Sequence, residues 1–479
     1  MEQKYAILQK GVNHFRINFF NVSESISLGS PLYLRIWYYR SMKENILREI
    51  FFDKHKHWET FSEKHKERLR AIVIKEVEKF HRCGDPKNGF KLLVCEGCHD
   101  VRIVPYRCKG RFCTTCSSGE TEEWSRMIVE EVVQVNHRHV IFTIDEGLRV
   151  IFQMHRELLK DLMDESVKIV QDWFKKKHKV TPGIIAGLHT FGARMNFNPH
   201  VHLLVTMGGM KKQGEWKVYD YIPFPMLRKQ WQTVVLKLIR RSLDESEKKK
   251  VQHLLQKAFS ANGEGFYVHA PKQKGNVKVQ IGYIGRYIRR PAIALHRIED
   301  YDGQYVTFRY HDKKDGQEKL ETITVEEFIK RLIVHIPDEQ FKTIRYYGIY
   351  SRRIKAISKK LISNWQKEVR KWIVNIKKVV KRRNWQQRIK EQTGKDPMIC
   401  PHCENCYEYR GEVCLKDGQL EIKYASDDTA KSYMERMIYN FTGIEVAKPQ
   451  KEEEKRPKLK LQEDRGKAGC DQLYMFGVS

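Results

Sequence analysis

Hydrophobic spacing divides the chain into stretches of different texture. Residues 1–80 read as mostly helical, and LRAIVIKEVEKFHRC (69–83) has the apolar spacing of an amphipathic helix running into the first cysteine. From about residue 137 short β-type runs appear, beginning with HRHVIFTI, and alternate with helical segments such as MHRELLKDLMDESVKIVQDWF (154–174). IIAGLHTFG (184–192) and HVHLLVTMGG (200–209) predict two strands, joined by ARMNFNP, a hairpin-length connection holding Asn and Pro turn residues. VVLKLIRRSL (234–243) is helical, FYVHA (266–270) is strand-like, and NVKVQIGYIGRYIRRP (276–291) is helical with Pro291 as its stop. VTFRY and ETITV follow as strands, then EEFIKRLIVHI as a helix. Over 354–380, Ile354, Ile357, Leu361, Trp365, Val369, Trp372, Ile376 and Val379 recur at steps of three or four among Lys and Arg. That spacing predicts a long helix with one apolar stripe and a basic face, which either meets solvent or touches DNA.

Strands mixed with helices, without regular βαβ alternation, imply an α+β fold class flanked by helical and zinc modules. The expected organisation is a helical region at 1–80, a zinc ribbon at 81–120 and a core domain at 121–300. A mostly helical basic extension (301–395), a second zinc knuckle (396–420) and a flexible charged tail (447–479) complete it.

Composition narrows the class of partner. Lys plus Arg number 89 against 60 Asp plus Glu, a formal charge of +29 over 479 residues. Such an excess repels itself unless a polyanion absorbs it, and nucleic acid is the usual one. Nine tryptophans, with many Tyr and Phe among the basic residues, suit stacking on unpaired bases as well as packing. The start, MEQKYAILQKGVNHFRINFF, lacks the layout of a secretory signal, and no run approaches the roughly 20 apolar residues that span a bilayer. A cytoplasmic protein with no membrane partner is expected, in which thiols stay reduced and the eleven cysteines serve metals before disulfides.

Cys95-x2-Cys98 and Cys113-x2-Cys116 have the spacing of two knuckles that close on one structural Zn²⁺. Cys83 and Cys108 are left over, either as ligands of a second site with His81 or His99 or as buried thiols. Lys109 and Arg111 lie between the ligands, where a rigid ribbon would present them to phosphate. Further on, Cys400, Cys403, Cys406 and Cys414 read as another zinc knuckle.

His200 and His202 share one face of their strand, because side chains at i and i+2 do, while Val201, Leu203 and Val205 fill the other. Two convergent imidazoles can hold a divalent cation or serve hydrogen-bonded structure, and the pair alone fits both. Tyr283 and Tyr287 are spaced i, i+4 on one helical face, with Arg286, Arg289 and Arg290 around them. A phenol is a poor nucleophile at neutral pH. It attacks a phosphodiester well when a metal polarises that group and cations stabilise the developing charge.

Together, Asn-Pro-His-x-His-x-Leu-Val-Thr-x-Gly-Gly and the later Tyr-Ile-x-Arg-Tyr-x-x-Arg resemble the HUH rolling-circle transposases of bacterial insertion sequences. The likeness is to the two-tyrosine type, related to Helitrons. Cys-Gly-Asp-Pro, Cys-x-x-Cys and Cys-Lys-Gly-Arg-Phe-Cys-x-x-Cys are similar to that family's zinc-binding domain, and IRYYGIYSRR (344–353) to a downstream element. The resemblance spans roughly 75–355 in matching order. It implies a palm-like antiparallel sheet on which His200 and His202 bind Mg²⁺ or Mn²⁺, with His189 as third ligand and Gln280 as the second candidate for that place. It also implies Tyr283 and Tyr287 as nucleophiles toward single-stranded DNA at transposon ends, a 5′-phosphotyrosine intermediate, and no small-molecule substrate. The setting would be a bacterial nucleoid.

The chain ends DQLYMFGVS, where Gln472, Leu473, Met475 and Phe476 resemble the peptide that docks bacterial proteins on the replicative sliding clamp. The competing readings are a plasmid replication initiator or relaxase, a zinc hydrolase built on His200 and His202, and a non-catalytic zinc-dependent DNA-binding protein.

Overall fold

The computed structural model describes residues 45–132, 135–213, 215–219, 221–270, 277–312, 315–351 and 382–443. The striped stretch 354–380 and the peptide Gln472–Phe476 lie outside the described residues. Helices α1 (Ile46–Phe52), α2 (His57–Lys64) and α3 (Ala71–His81) lead to the hairpin β1 (Gly89–Cys95) and β2 (Val101–Pro105), then α4 (Thr114–Glu131). Next come β3 (His137–Thr143), α5 (Arg149–Met154), α6 (Leu158–His178), β4 (Gly183–Phe191) and β5 (Phe197–Thr206). A short pair, β6 (Gly208–Met210) and β7 (Trp216–Val218), precedes α7 (Phe224–Ser242), α8 (Glu245–Ala261), β8 (Val268–His269) and α9 (Val277–Arg289). The remainder is β9 (Ile298–Tyr301), β10 (Tyr305–His311), β11 (Glu318–Thr324), α10 (Val325–Ile333) and β12 (Ile344–Gly348). After these follow α11 (Trp385–Thr393), β13 (Tyr407–Lys416), β14 (Gln419–Ala425) and α12 (Asp428–Thr442).

The five-stranded sheet has the order β12-β4-β5-β3-β8, and every pairing in it is antiparallel. Period-two alternation assigns its faces. Val201, Leu203 and Val205 join Val140, Phe142, Ile184 and Ala186 in a core sealed by α6 and α7, including Leu162, Phe174 and Trp231. On the opposite face Leu204 and Ile185 meet Ile281, Ile284 and Ile288 of α9 and Ile128 of α4. The ARMNFNP turn closes the β4–β5 hairpin with Met195 at φ +58°, and the register slips between His189 and Phe191. Strand β12, from the IRYYGIYSRR element, pairs with β4 as the outer edge.

Two glycine contacts fix how closely α9 lies on its neighbours. A Cβ on Gly187 would stand 2.3 Å from Cγ2 of Ile288, so the bare backbone lets the helix settle onto β4. Gly285 lies against Ser125 of α4, whose hydroxyl donates to the carbonyl of Gly282 at 2.8 Å. The far end of the chain braces the same helix pair. Glu123 of α4, 1 % exposed at its side chain, receives Arg126 and Arg383, and Arg388 reaches Glu120.

The two cysteine-rich stretches read from sequence as separate modules share one sheet, β14-β13-β1-β2. Its pairing of β1 with β13 joins residues more than 300 apart, placing Cys95 opposite Tyr407. One face of this sheet buries Phe90, Leu92 and Val413 under Met434 and Ile438 of α12. Among its described residues, the extension expected to be mostly helical carries most of the three-stranded sheet β11-β10-β9. Phe308 of that sheet and Phe328 of α10 pack with Phe51 and Phe80 of the N-terminal helices.

Candidate active site and metal centres

Cys83 follows α3, Cys108 sits in the loop after β2, and Cys113 and Cys116 open α4. Their sulfurs converge: Cys83 to Cys116 is 3.6 Å, Cys108 to Cys116 3.7 Å and Cys113 to Cys83 3.8 Å. Four sulfurs tetrahedral about Zn²⁺ stand about 3.8 Å apart, as Zn–S bonds of ~2.3 Å require. The amide of Cys108 donates to Cys83 at 3.4 Å, and that of Gly110 to Cys108 at 3.3 Å.

The second centre joins Cys95 and Cys98 of the β1–β2 turn to Cys400 and Cys403. Cys95 lies 3.3 Å from Cys403, and Cys98 lies 3.6 Å from Cys400. The amide of Asn405 holds the Cys403 thiol down at about 6. This corrects the ligand sets read from spacing. Cys95 and Cys98 do not close on Cys113 and Cys116, which instead take Cys83 and Cys108. Nor do Cys400 and Cys403 form a site with Cys406 and Cys414; Cys414 sits in β13 opposite Gly89. The reason is the long-range pairing of β1 with β13, which local spacing does not encode.

On the α9 face of the central sheet, His189 of β4 pairs with His200 of β5, and His202 lies two residues on. One ring nitrogen from each of the three comes within 4.8 Å of the others. All three rings are buried. Each is oriented from outside the cluster. His189 Nε2 donates to the carbonyl of Ile288 at 2.8 Å, and His200 Nδ1 to that of Asn198 at 2.6 Å. His202 Nδ1 meets His139 Nε2 at 2.9 Å. His189 Nδ1 and His202 Nε2 are buried with no hydrogen-bond partner, atoms that an apolar interior would not leave so. Burial, reinforced by neighbouring His200, pushes both imidazoles well below their usual pKa, so they stay neutral, the form that ligates. Imidazoles whose other ring nitrogens are bound outside the cluster are the usual arrangement of a metal site. The three imidazoles could hold a divalent cation, and nitrogen donors suit a transition metal better than Mg²⁺.

His139 is the residue that the sequence reading passed over. It shares the site face of β3, touches the His202 ring and lies 5.6 Å from the Tyr287 ring. Burial and the charges of His269 and His200 hold it at about 4. The signal was available, because HRH in β3 repeats the one-residue spacing of HVH in β5.

Tyr287 of α9 covers the histidines, with ring centres 5.0 Å from His202 and 5.9 Å from His189. Tyr283 stacks 6.4 Å from Tyr287 and is 57 % exposed. The Arg290 guanidinium lies over the Tyr287 ring at 4.3 Å and over Phe191 at 5.7 Å. Arg286 is exposed on the same helix; the side chains of Gln280 and Arg289 lie outside the described residues. Lys109 and Arg111 line a cavity of about 560 Å³ whose walls also include Phe112, His189, Phe191 and Arg290.

The chain matches a transposase zinc-binding domain over residues 53–144 and a putative transposase family over residues 183–359. It is 29 % identical over 300 residues to the transposase for insertion sequence element IS801 of Pseudomonas savastanoi pv. phaseolicola, covering 60 % of this chain and 72 % of that protein. It is also 25 % identical over 342 residues to the putative transposase y4qJ of Sinorhizobium fredii (strain NBRC 101917 / NGR234), covering 67 % and 84 %. No solved structure matches the chain. The chain thus resembles transposases over two segments, one holding six of the eight clustered cysteines and the other the histidines of the sheet and the tyrosines of α9.

Proposed function

We propose that this transposase cleaves and rejoins single-stranded DNA at the ends of its element through tyrosine, on an HUH-type antiparallel palm. The observation that carries the reading is the cluster of His189, His200 and His202, of which His189 and His202 meet the Tyr287 ring, with two ring nitrogens buried and unpartnered. His189, His200 and His202 would hold Mg²⁺ or Mn²⁺, which when bound polarises the scissile phosphodiester. The tyrosine Oη forms a bond to phosphorus, the P–O3′ bond breaks, and the leaving O3′ takes up a proton while the phenol proton goes to solvent. Arg290, over the Tyr287 ring, stabilises negative charge gathering on the phosphate and phenolate oxygens. The product is a 5′-phosphotyrosine, whose retained bond energy lets a 3′-OH reverse the step on a new end without ATP. Tyr283, one turn away and exposed, would take a second strand.

A replication initiator or relaxase would share this chemistry, but the matched families are transposases. A non-catalytic role leaves the orphaned histidine nitrogens unexplained. The test is incubation of labelled single-stranded end DNA with Mn²⁺ and the full chain. Wild type gives a denaturant-stable protein–DNA adduct and the Tyr283→Phe/Tyr287→Phe double variant gives none. An adduct from the double variant overturns the assignment.

A further inference from the structure

Strand β8 is the edge of the central sheet beside β3, and the chemistry above does not use it. Val268 points into the core beneath the sheet, fully buried. Period two then turns Tyr267 and His269 to the opposite face, the one that carries the histidine cluster. The register confirms the row: His269 pairs with Ile141, which pairs with His202, and Thr143, which pairs with His200, donates its amide to the carbonyl of Tyr267 at 3.0 Å. Two strand spacings of ~4.8 Å put this edge about 10 Å from the metal-site histidines.

Both side chains are exposed, Tyr267 by 50 %, and their rings stack 5.8 Å apart at 13°. The Arg228 guanidinium stands over the Tyr267 ring at 5.3 Å. The scaffold beneath is rigid. Gly265, at φ +87°, lets the preceding loop lie directly on the Arg228 backbone, where any Cβ would stand 2.3 Å from it. Trp231 Nε1 donates to the Thr143 carbonyl at 2.7 Å, fixing the end of β3 beside it.

We infer that Tyr267 and His269, with Arg228, form a stacking platform for an unpaired base of the DNA strand flanking the scissile phosphate. The inference rests on the tyrosine-nuclease reading of the adjoining site. Three features select single-stranded nucleic acid as occupant: flat aromatic faces, a guanidinium beside them, and continuity along one sheet face with the site. A duplex keeps its bases stacked on one another and cannot offer a face to Tyr267.

The test uses the full chain and a fluorescein-labelled single strand of about 20 nucleotides copied from the DNA flanking the gene, followed by anisotropy without metal. Stacking losses on truncation to alanine correspond to about 5- to 150-fold in affinity. Tyr267→Ala is expected to bind at least fivefold more weakly, and Tyr267→Phe as wild type. Abasic sites scanned along the strand add the positional readout. One position should weaken wild type by a similar factor and leave Tyr267→Ala unaffected. A loss under fivefold, an unchanged abasic profile, or an equal loss on duplex of the same sequence overturns the platform. If wild type forms no covalent adduct with Mn²⁺ while the abasic profile behaves as described, the nuclease reading fails and the platform stands.

Discussion

Replacing Gly187 with alanine tests whether the seating of the tyrosine helix governs the chemistry. The added methyl would lie 2.3 Å from Ile288 Cγ2, where carbon atoms keep about 3.5–4.0 Å. Helix α9 must therefore lift from β4 by about 1.2–1.7 Å, the difference between those separations. Ile288 is buried and its carbonyl holds His189 Nε2, so the lift strains that hydrogen bond and carries Tyr287 off the histidines. Overpacking of this kind costs about 1–3 kcal/mol, while a misplacement near 1 Å can cost about 100-fold in rate. Adduct formation with end DNA and Mn²⁺ should thus fall about 100-fold in Gly187→Ala, with the protein still folded by circular dichroism. Ile288→Ala removes the clashing methyl, so the Gly187→Ala/Ile288→Ala pair should regain much of the rate lost in Gly187→Ala. A Gly187→Ala protein that forms adducts at the wild-type rate would refute the argument, as would a pair no faster than Gly187→Ala alone.

The crossed cysteine sets predict zinc stoichiometry. Native mass spectrometry should find two zinc ions in wild type, one in Cys95→Ser and still one in Cys95→Ser/Cys400→Ser, whereas Cys95→Ser/Cys113→Ser should lose both; retention of one zinc in the last variant would restore the local pairing. The brace on α4 predicts an acid-dependent stability. Burial pushes the Glu123 carboxyl up, but the bonds from Arg126 and Arg383 outweigh it and hold it at about 2. That drop from 4.5 is worth about 3 kcal/mol, present above pH 4.5 and lost as pH falls toward 2. Glu123→Ala should therefore be less stable by about 3 kcal/mol or more in denaturant titrations at pH 7. The gap should narrow toward pH 2, and one that stays constant across that range would show that the charge is not its source.

What the sequence makes legible here follows the range of the interaction that fixes each feature. The β4–β5 hairpin, the shared face of His200 and His202, and the i, i+4 tyrosine pair are set by neighbours a few residues away. Periodicity and turn residues carry those directly. His189 lay within reach of the same logic, because a hairpin pairs its two strands and register then brings His189 opposite His200. The zinc ligands did not, because the spacing rule assumes that adjacent knuckles share an ion. In this chain β13 returns from the far end to pair with β1, and the knuckle that precedes it displaces Cys113 and Cys116 from the partnership. Those two thiols are satisfied by Cys83 and Cys108, the pair that looked surplus. Leftover ligands were thus the sequence's own sign that the partition was wrong. Six thiols at 83–116 fit no single tetrahedron, and two more from outside make two complete ones. His139 teaches the same lesson at shorter range. An H-x-H on β3 beside an H-x-H on β5 becomes a site feature only once antiparallel register places both on one face.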